Sequence, residues 1–343
     1  MRITWLNPAP IVVADGERTS VRPCVRLRSL IPGDELRRRG YDVRQVATSE
    51  LKDALGSPGF FSCDRVVVGK AFADLSPLLP QFRKTGGKVV VDICDNVFAP
   101  PEDGLKDFYS RMLPHADAVT TSSETLKQCL VTNIPSGVPI FVVDDSVEGP
   151  RELPRLDPSA GRVRLLWFGF PNNLSTLIDE ISRWRNLAKR TAIDLTVVSK
   201  WSDARRRAFP RGNEGVSVRL VEWSPAAMKT ELAACDLVVV PSDDASARTT
   251  KSANRVISGL WAGKYVVAYP LPSYRPFEPY AGIGRDLSSS IEWALANRDE
   301  AVDRISRGQR FIFERFGTAA IGDRWEAVLG GLASADGACR NSR

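Results

Sequence analysis

Short β-branched runs alternate with amphipathic segments from one end of this chain to the other. That alternation constrains the fold more than any other feature. The runs fall at residues 3–6, 43–47, 65–68, 88–93, 118–121 and 140–143 in the first half. In the second half they fall at 164–168, 194–199, 216–221, 236–240 and 265–269. Val89-Val90-Val91 and Leu237-Val238-Val239-Val240 are apolar on both faces. Strands look like that when both faces of their sheet are covered, and the intervening helical segments supply the cover. The expected class is α/β with parallel sheets.

A chain of 343 residues exceeds what one hydrophobic core usually supports, so two Rossmann-like domains are expected. The break falls in 144–162, which holds Pro150, Pro154, Pro158, Gly149 and Gly161 and has no apolar period. The expected division is 1–145 for the first domain, 146–162 for a linker, 163–335 for the second domain, and 336–343 for a disordered tail. Helices are expected over 288–316 and 319–332, both within the second domain.

Composition excludes several classes. Six cysteines stand far apart, without a CxxC pair or a Cys/His cluster, so a zinc site is not expected. Cys94 and Cys235 lie in apolar runs and read as small buried hydrophobes of a reducing compartment. The single histidine, His115, sits in a helical segment, 110–117, that argues against a Ser-His-Asp or Cys-His mechanism. No apolar run approaches membrane-spanning length, and the N-terminus begins directly with a strand. A cytoplasmic protein is expected, with peripheral contact at the inner membrane face. The net charge of +6 suits an anionic small ligand. Arg37-Arg38-Arg39 and Arg205-Arg206-Arg207 lack interleaved aromatics and read as solvated helix faces, so nucleic acid is not an expected partner.

The segment from Val240 to Ala268 carries the most chemistry. A buried strand ends at Pro241, a polar loop follows, and a helix is expected to start near Lys251. Ala253, Val256, Ile257, Leu260 and Trp261 form its buried stripe, with Gly263 stopping it. In open α/β sheets ligands bind at the carboxyl edge of the strands, and a helix N-terminus there suits phosphate. Arg248 and Lys251 add full charges at the same place.

Pro241-Ser242, Lys251-Ser252-Ala253-Asn254-Arg255 and Gly259-Leu260-Trp261-Ala262-Gly263-Lys264-Tyr265-Val266-Val267-Ala268 together resemble the donor-site segment of GT-B-fold glycosyltransferases. The closest likeness is to the large retaining group that builds bacterial surface polysaccharides. The resemblance implies two Rossmann-like domains whose sheets face each other across a cleft. It implies transfer of a sugar from a nucleotide-sugar donor to a glycan or lipid-linked acceptor, without cofactor or metal. Many members carry two glutamates separated by seven residues, where this chain has Thr250 and Ser258.

The same resemblance extends to the segment around Gly169 and Asn172, to Lys200 after a strand, and to Glu222-Trp223 as a nucleobase cradle. The donor-side set is therefore Gly169, Asn172, Lys200, Glu222, Trp223, Arg248, Lys251, Ser252, Asn254 and Arg255. Arg26 and Arg28 are placed on the acceptor side. Asp92 and Asp95 close the strand 88–93, and Asp95 is the expected carboxylate if a base is needed. A turn held by the Asp95 and Asn96 side chains is the structural alternative. Asp243-Asp244 is the nearest thing to a metal-holding acidic triplet and reads as a solvated loop. Two rival functions stay open: a nucleotide-sugar epimerase or hydrolase on this fold, and a non-catalytic glycan- or partner-binding protein with a degenerate donor site.

Overall fold

The computed structural model describes residues 1–14, 16–57, 59–99 and 104–332. Cys339 and the expected tail at 336–343 lie outside them. The chain forms two compact units. The first comprises Met1–Glu148, Thr250–Ser252 and the chain from Arg315 onward; the second comprises Gly149–Thr249 and Ala253–Glu314.

The first unit is built on a six-stranded sheet. Across it the order is Asp42–Ala47, Arg2–Asn7, Arg65–Val68, Lys88–Ile93, Ala118–Thr121 and Ile140–Val142, with every pair parallel. The strands Arg65–Val68 and Ala118–Thr121 are buried at every position, as central parallel strands require. The second unit's sheet runs Gly212–Asn213, Val216–Glu222, Ala192–Ser199, Arg162–Phe168, Leu237–Val240, Tyr265–Ala268 and Gly282–Ile283. Only the first of these is antiparallel to its neighbour. All eleven expected strands form, within two residues at each end.

Both sheets reverse direction at their first strand. In the second unit the chain grows outward from Arg162–Phe168 through Ala192–Ser199, then returns to add Leu237–Val240 on the other side. The connections leaving Phe168 and Val240 therefore run to opposite sides of the first strand at the carboxyl edge. This is the switch point at which doubly wound sheets take ligands.

Three expectations need correction. Helix Thr318–Gly331 does not belong to the second unit. Its Ile321, Trp325, Val328 and Leu329 pack on Ile3, Trp5, Leu36 and Val67 of the first sheet. The Trp5 and Trp325 rings meet edge to face with centroids 4.8 Å apart. The helix expected over 288–316 is two helices, Leu287–Ala296 and Arg298–Phe316, separated at Asn297. Finally, the proline-rich stretch after Gly149 is not a free linker. Glu152 and Arg155 donate their backbone N–H groups to the carbonyls of Trp261 and Gly263, 3.0 Å in each case, and Leu156 is buried. Gly263 has a φ of 71°, and an added Cβ would lie 2.2 Å from the Leu153 carbonyl oxygen. Only glycine ends the helix while letting that stretch pass.

Candidate functional site

In the second unit, Gly169 follows the strand Arg162–Phe168 directly at the switch point. A Cβ there would crowd the Trp167 ring at 3.0 Å and would stand in ordinary contact with Arg255 Nη1 at 3.7 Å, so this arginine lies against the turn. Arg255 Nη1 is buried and has no hydrogen-bond partner among the described residues. A buried guanidinium nitrogen left unpaired is costly, and an anion in the crevice would satisfy it. Arg255 is carried on helix Asn254–Trp261, whose stripe of Val256, Ile257, Leu260 and Trp261 is buried as expected. Gly259 lets that helix seat tightly: a Cβ would approach Val266 to 2.5 Å.

Around this point the expected donor residues divide. Lys200 lies over the Trp223 ring, 5.4 Å from its centroid, and leaves its charge exposed. Asn172 is exposed in the short 3-10 turn Pro171–Asn173, and Asn254 begins the Arg255 helix. Glu222 accepts from the Trp201 backbone N–H at 3.2 Å and pairs with Arg206 at 3.5 Å. Arg248 is already paired with Asp243 at 2.7 Å and donates to Ser175 Oγ at 3.2 Å. Asp244 pairs with Arg285. Among the described residues no group of three metal-ligating side chains forms.

Lys251 and Ser252 differ from expectation. The helix starts three residues later, at Asn254, and Thr250–Ser252 belongs to the first unit. Lys251 is ion-paired with Asp95, which also binds Lys70. Burial pushes the Asp95 carboxyl up, but Lys70 and Lys251 outweigh it and hold it at about 2. Ser252 donates to Asp145 Oδ2 at 2.6 Å. Thr250 is buried, and Ser258 turns back to the Asn254 carbonyl at 2.7 Å, so neither offers a carboxylate in place of the family's acidic pair.

The roles expected of Arg28 and Asp92 are corrected. Arg28 grips Asp92 through two parallel bonds, Nε to Oδ2 at 2.8 Å and Nη2 to Oδ1 at 2.6 Å. Its Nη1 donates to the Val143 carbonyl at 2.7 Å and to Asp145 Oδ1 at 3.0 Å. Thr120 Oγ1 adds a bond to Asp92 at 2.7 Å. Arg28 and Asp92 are 2% and 1% exposed, so both are closed off from solvent. Burial raises the Asp145 carboxyl, and Arg28 only partly offsets that. Arg26 is likewise engaged, with Glu148 at 2.6 Å and the Ser20 carbonyl at 2.7 Å.

Sequence reasoning missed a cavity of about 220 Å³ at the carboxyl edge of the first sheet. Asn7 and Ala47, both last residues of strands, line it together with Arg18, Arg37, Gln45 and Glu50. Val12 and Val13 of the hairpin Val12–Ala14/Glu17–Thr19 line it too, and both are exposed. The signal was faint: Arg18 and Arg37 stand 19 positions apart and are brought together by Asp34 and Gln45, which both of them bind.

Neither a family model nor a curated protein sequence matches the chain. Solved structures do. HepE of Anabaena, in complex with UDP, superposes with a TM-score of 0.67 at 14% identity, covering 96% of this chain and 100% of that one. A UDP-forming α,α-trehalose-phosphate synthase of Burkholderia xenovorans gives 0.56 at 9% identity, over 97% of this chain and 99% of the other. TarM gives 0.57 at 13%, over 77% of this chain, which spans only 54% of the TarM chain. The likeness fixes the fold: two parallel-sheet α/β units of the GT-B type.

Proposed function

We propose that this protein is a glycosyltransferase that moves a sugar from a nucleotide-sugar donor to a glycan or lipid-linked acceptor in cell-surface polysaccharide synthesis. One observation carries the reading. At the switch point of the second sheet a buried guanidinium nitrogen of Arg255 has no hydrogen-bond partner among the described residues, and it lies against the side-chain-free turn at Gly169. That is a position for a diphosphate. HepE, which matches nearly the whole chain, has been solved with UDP-glucose and with UDP.

In this reading Arg255, Lys200 and backbone N–H groups meet the charge that develops on the departing nucleotide. Those fixed protein charges do what a metal ion would otherwise do. Glu222 and Trp223 border the nucleobase, and Asn172 and Asn254 supply neutral polar contacts. Asp95, held ionised far below neutral pH by its two lysines, is a weak base. That favours retention of stereochemistry, which calls for no strong base, and makes Asp95 a group that positions Lys70 and Lys251. The polar cavity between Arg18, Arg37 and Glu50 takes over the acceptor role once expected of Arg26 and Arg28. No helix among the described residues is long and apolar enough to cross a membrane. A lipid-linked acceptor would be met from the membrane's cytoplasmic surface.

Thr250 and Ser258 favour one rival, a donor-site protein that binds without turning over. Calorimetry with UDP separates the cases. Arg255→Ala should weaken UDP binding about 10- to 100-fold, the worth of one charge-assisted bond, with the melting temperature held or raised. Equal affinity in the variant removes the site. UDP binding by the parent, with neither transfer nor hydrolysis of UDP-sugars, points to the binding protein.

A further inference from the structure

We propose that the cavity at the carboxyl edge of the first sheet takes a neutral, hydroxyl-bearing sugar ring rather than an anionic group. That the ring is the acceptor's rests on the glycosyltransferase reading; the class of ligand rests on the cavity itself. Asn7 carries most of the argument. It ends the strand Arg2–Asn7, lines the cavity and is only 2% exposed, yet its side chain makes no hydrogen bond among the described residues. A side-chain amide has two donors and a carbonyl acceptor, and leaving them unmet at a buried position is costly. The cavity is where a partner for them can enter.

The charges around Asn7 are already balanced. Arg18 and Arg37 both pair with Asp34, and both donate to Gln45 Oε1, at 3.0 and 2.9 Å. Arg37 also binds the Val43 carbonyl through Nε at 3.0 Å and Nη2 at 2.7 Å. Gln45 Nε2 is held by the Ser29 carbonyl at 2.6 Å. Glu50 brings a second carboxylate, whose Oε2 accepts the Ala47 backbone N–H at 2.8 Å. Two guanidinium groups thus stand with two carboxylates, and no net charge is left to draw an anion. What the lining still offers is mixed. Arg18 Nε can donate, Glu50 Oε1 can accept, and the Asn7 amide can do both. Ile11, Val12 and Val13 add an apolar side. Sugar hydroxyls donate and accept at once, and the C–H face of the ring is apolar, so a pyranose matches both kinds of surface. The volume of about 220 Å³ lies below the roughly 300–1,000 Å³ of pockets for drug-sized ligands, which suits one ring.

The test screens the full chain, without nucleotide, by saturation-transfer NMR. The probes are methyl glycosides of glucose, galactose, mannose and N-acetylglucosamine, with glucuronate and inorganic phosphate as the anionic competitors. At least one neutral glycoside should bind saturably in the millimolar range, and neither anion should displace it. Asn7→Leu, close in volume, should weaken that binding about 10-fold or more. If that variant fails to fold, Glu50→Gln decides. Its side chain is exposed and its amide oxygen can still accept the Ala47 N–H, so it should fold and bind the glycoside several-fold more weakly. Binding by none of the glycosides overturns the proposal. So does displacement by phosphate or glucuronate, which would make Arg18 an anion receptor. Folded variants that bind as the parent does would put the sugar elsewhere and overturn it too. Calorimetry with UDP on the same protein keeps the two readings apart. UDP bound with every glycoside refused sinks this proposal alone; a glycoside held in the cavity with UDP refused sinks the transferase reading and leaves the sugar site standing.

Discussion

The carboxyl edges of the two sheets treat charge in opposite ways. In the first unit several strong charges close to the strand ends have internal partners. Arg28 holds Asp92 and Asp145, Arg26 holds Glu148, and Asp95 holds Lys70 and Lys251. In the second unit a buried nitrogen of Arg255 beside Gly169 has no hydrogen-bond partner among the described residues, and Lys200 lies over an aromatic face. Charges neutralised within the fold hold elements together; cations left over at a switch point are available to a ligand. Two arginines on helices can thus look alike in sequence and stand in unlike surroundings.

The sharpest way to break this contrast is Arg28→Ala. It strands Asp92 and Asp145 in a dry site, and removing one partner of a buried pair costs about 3–5 kcal/mol. Denaturant unfolding should show that loss. Whatever remains folded should bind UDP as the parent does. If the variant is stable yet loses UDP, Arg28 belongs to the ligand after all and the contrast fails.

A smaller effect comes from Asp95→Asn. The folded carboxyl sits at about 2, below its ordinary 3.8. A depressed acid contributes stability that is complete above its unfolded value and disappears as pH falls through the folded one. The parent should therefore lose about 2 kcal/mol between roughly pH 4 and pH 2, at 1.36 kcal/mol per unit. The Asn variant should lack that part of the slope. Its Lys70 and Lys251 face each other without a counter-charge, so it should also be weaker at neutral pH. An acid unfolding curve identical to the parent's would show that the cluster is not formed in solution.

The strands were legible because a doubly covered strand must be apolar on both faces, and Val89-Val90-Val91 can hardly be anything else. Gly263 and the stripe from Val256 to Trp261 were legible for the same local reason. What escaped was set by distant partners. Nothing near Lys251 reveals that Asp95 and Asp145 draw Thr250–Ser252 out of the second unit and delay the helix to Asn254. Trp325 carries no mark that its place is against Trp5 rather than the sheet that precedes it in the chain. Asp92 and Asp95 were both candidate carboxylates from the sequence, with Asp95 preferred for its place in the loop. Their neighbours tell them apart: a guanidinium buries the first, and two lysines hold the second at the rim, its side chain 25% exposed.

The smallest effect sharpens the second unit's side. Lys200 rests on Trp223 with its charge exposed. An exposed cation over an aromatic ring contributes only about 0.5–1 kcal/mol, so losing it should lower stability by no more than about 1 kcal/mol. If Lys200 serves a bound diphosphate, Lys200→Ala should lower UDP affinity several-fold at low salt. The gap between parent and variant should shrink as salt is added, because an exposed charge is screened within about 10 Å at 0.1 M. Lys200→Arg keeps the charge and stacks at least as well on the indole, so it should recover most of the affinity. Uridine separates this from a purely aromatic role. Lacking phosphate, it should bind the Ala variant nearly as well as the parent if Lys200 acts through charge. An equal loss for uridine and UDP would assign Lys200 to holding Trp223 in place and leave Arg255 as the unit's one phosphate-facing cation among the described residues.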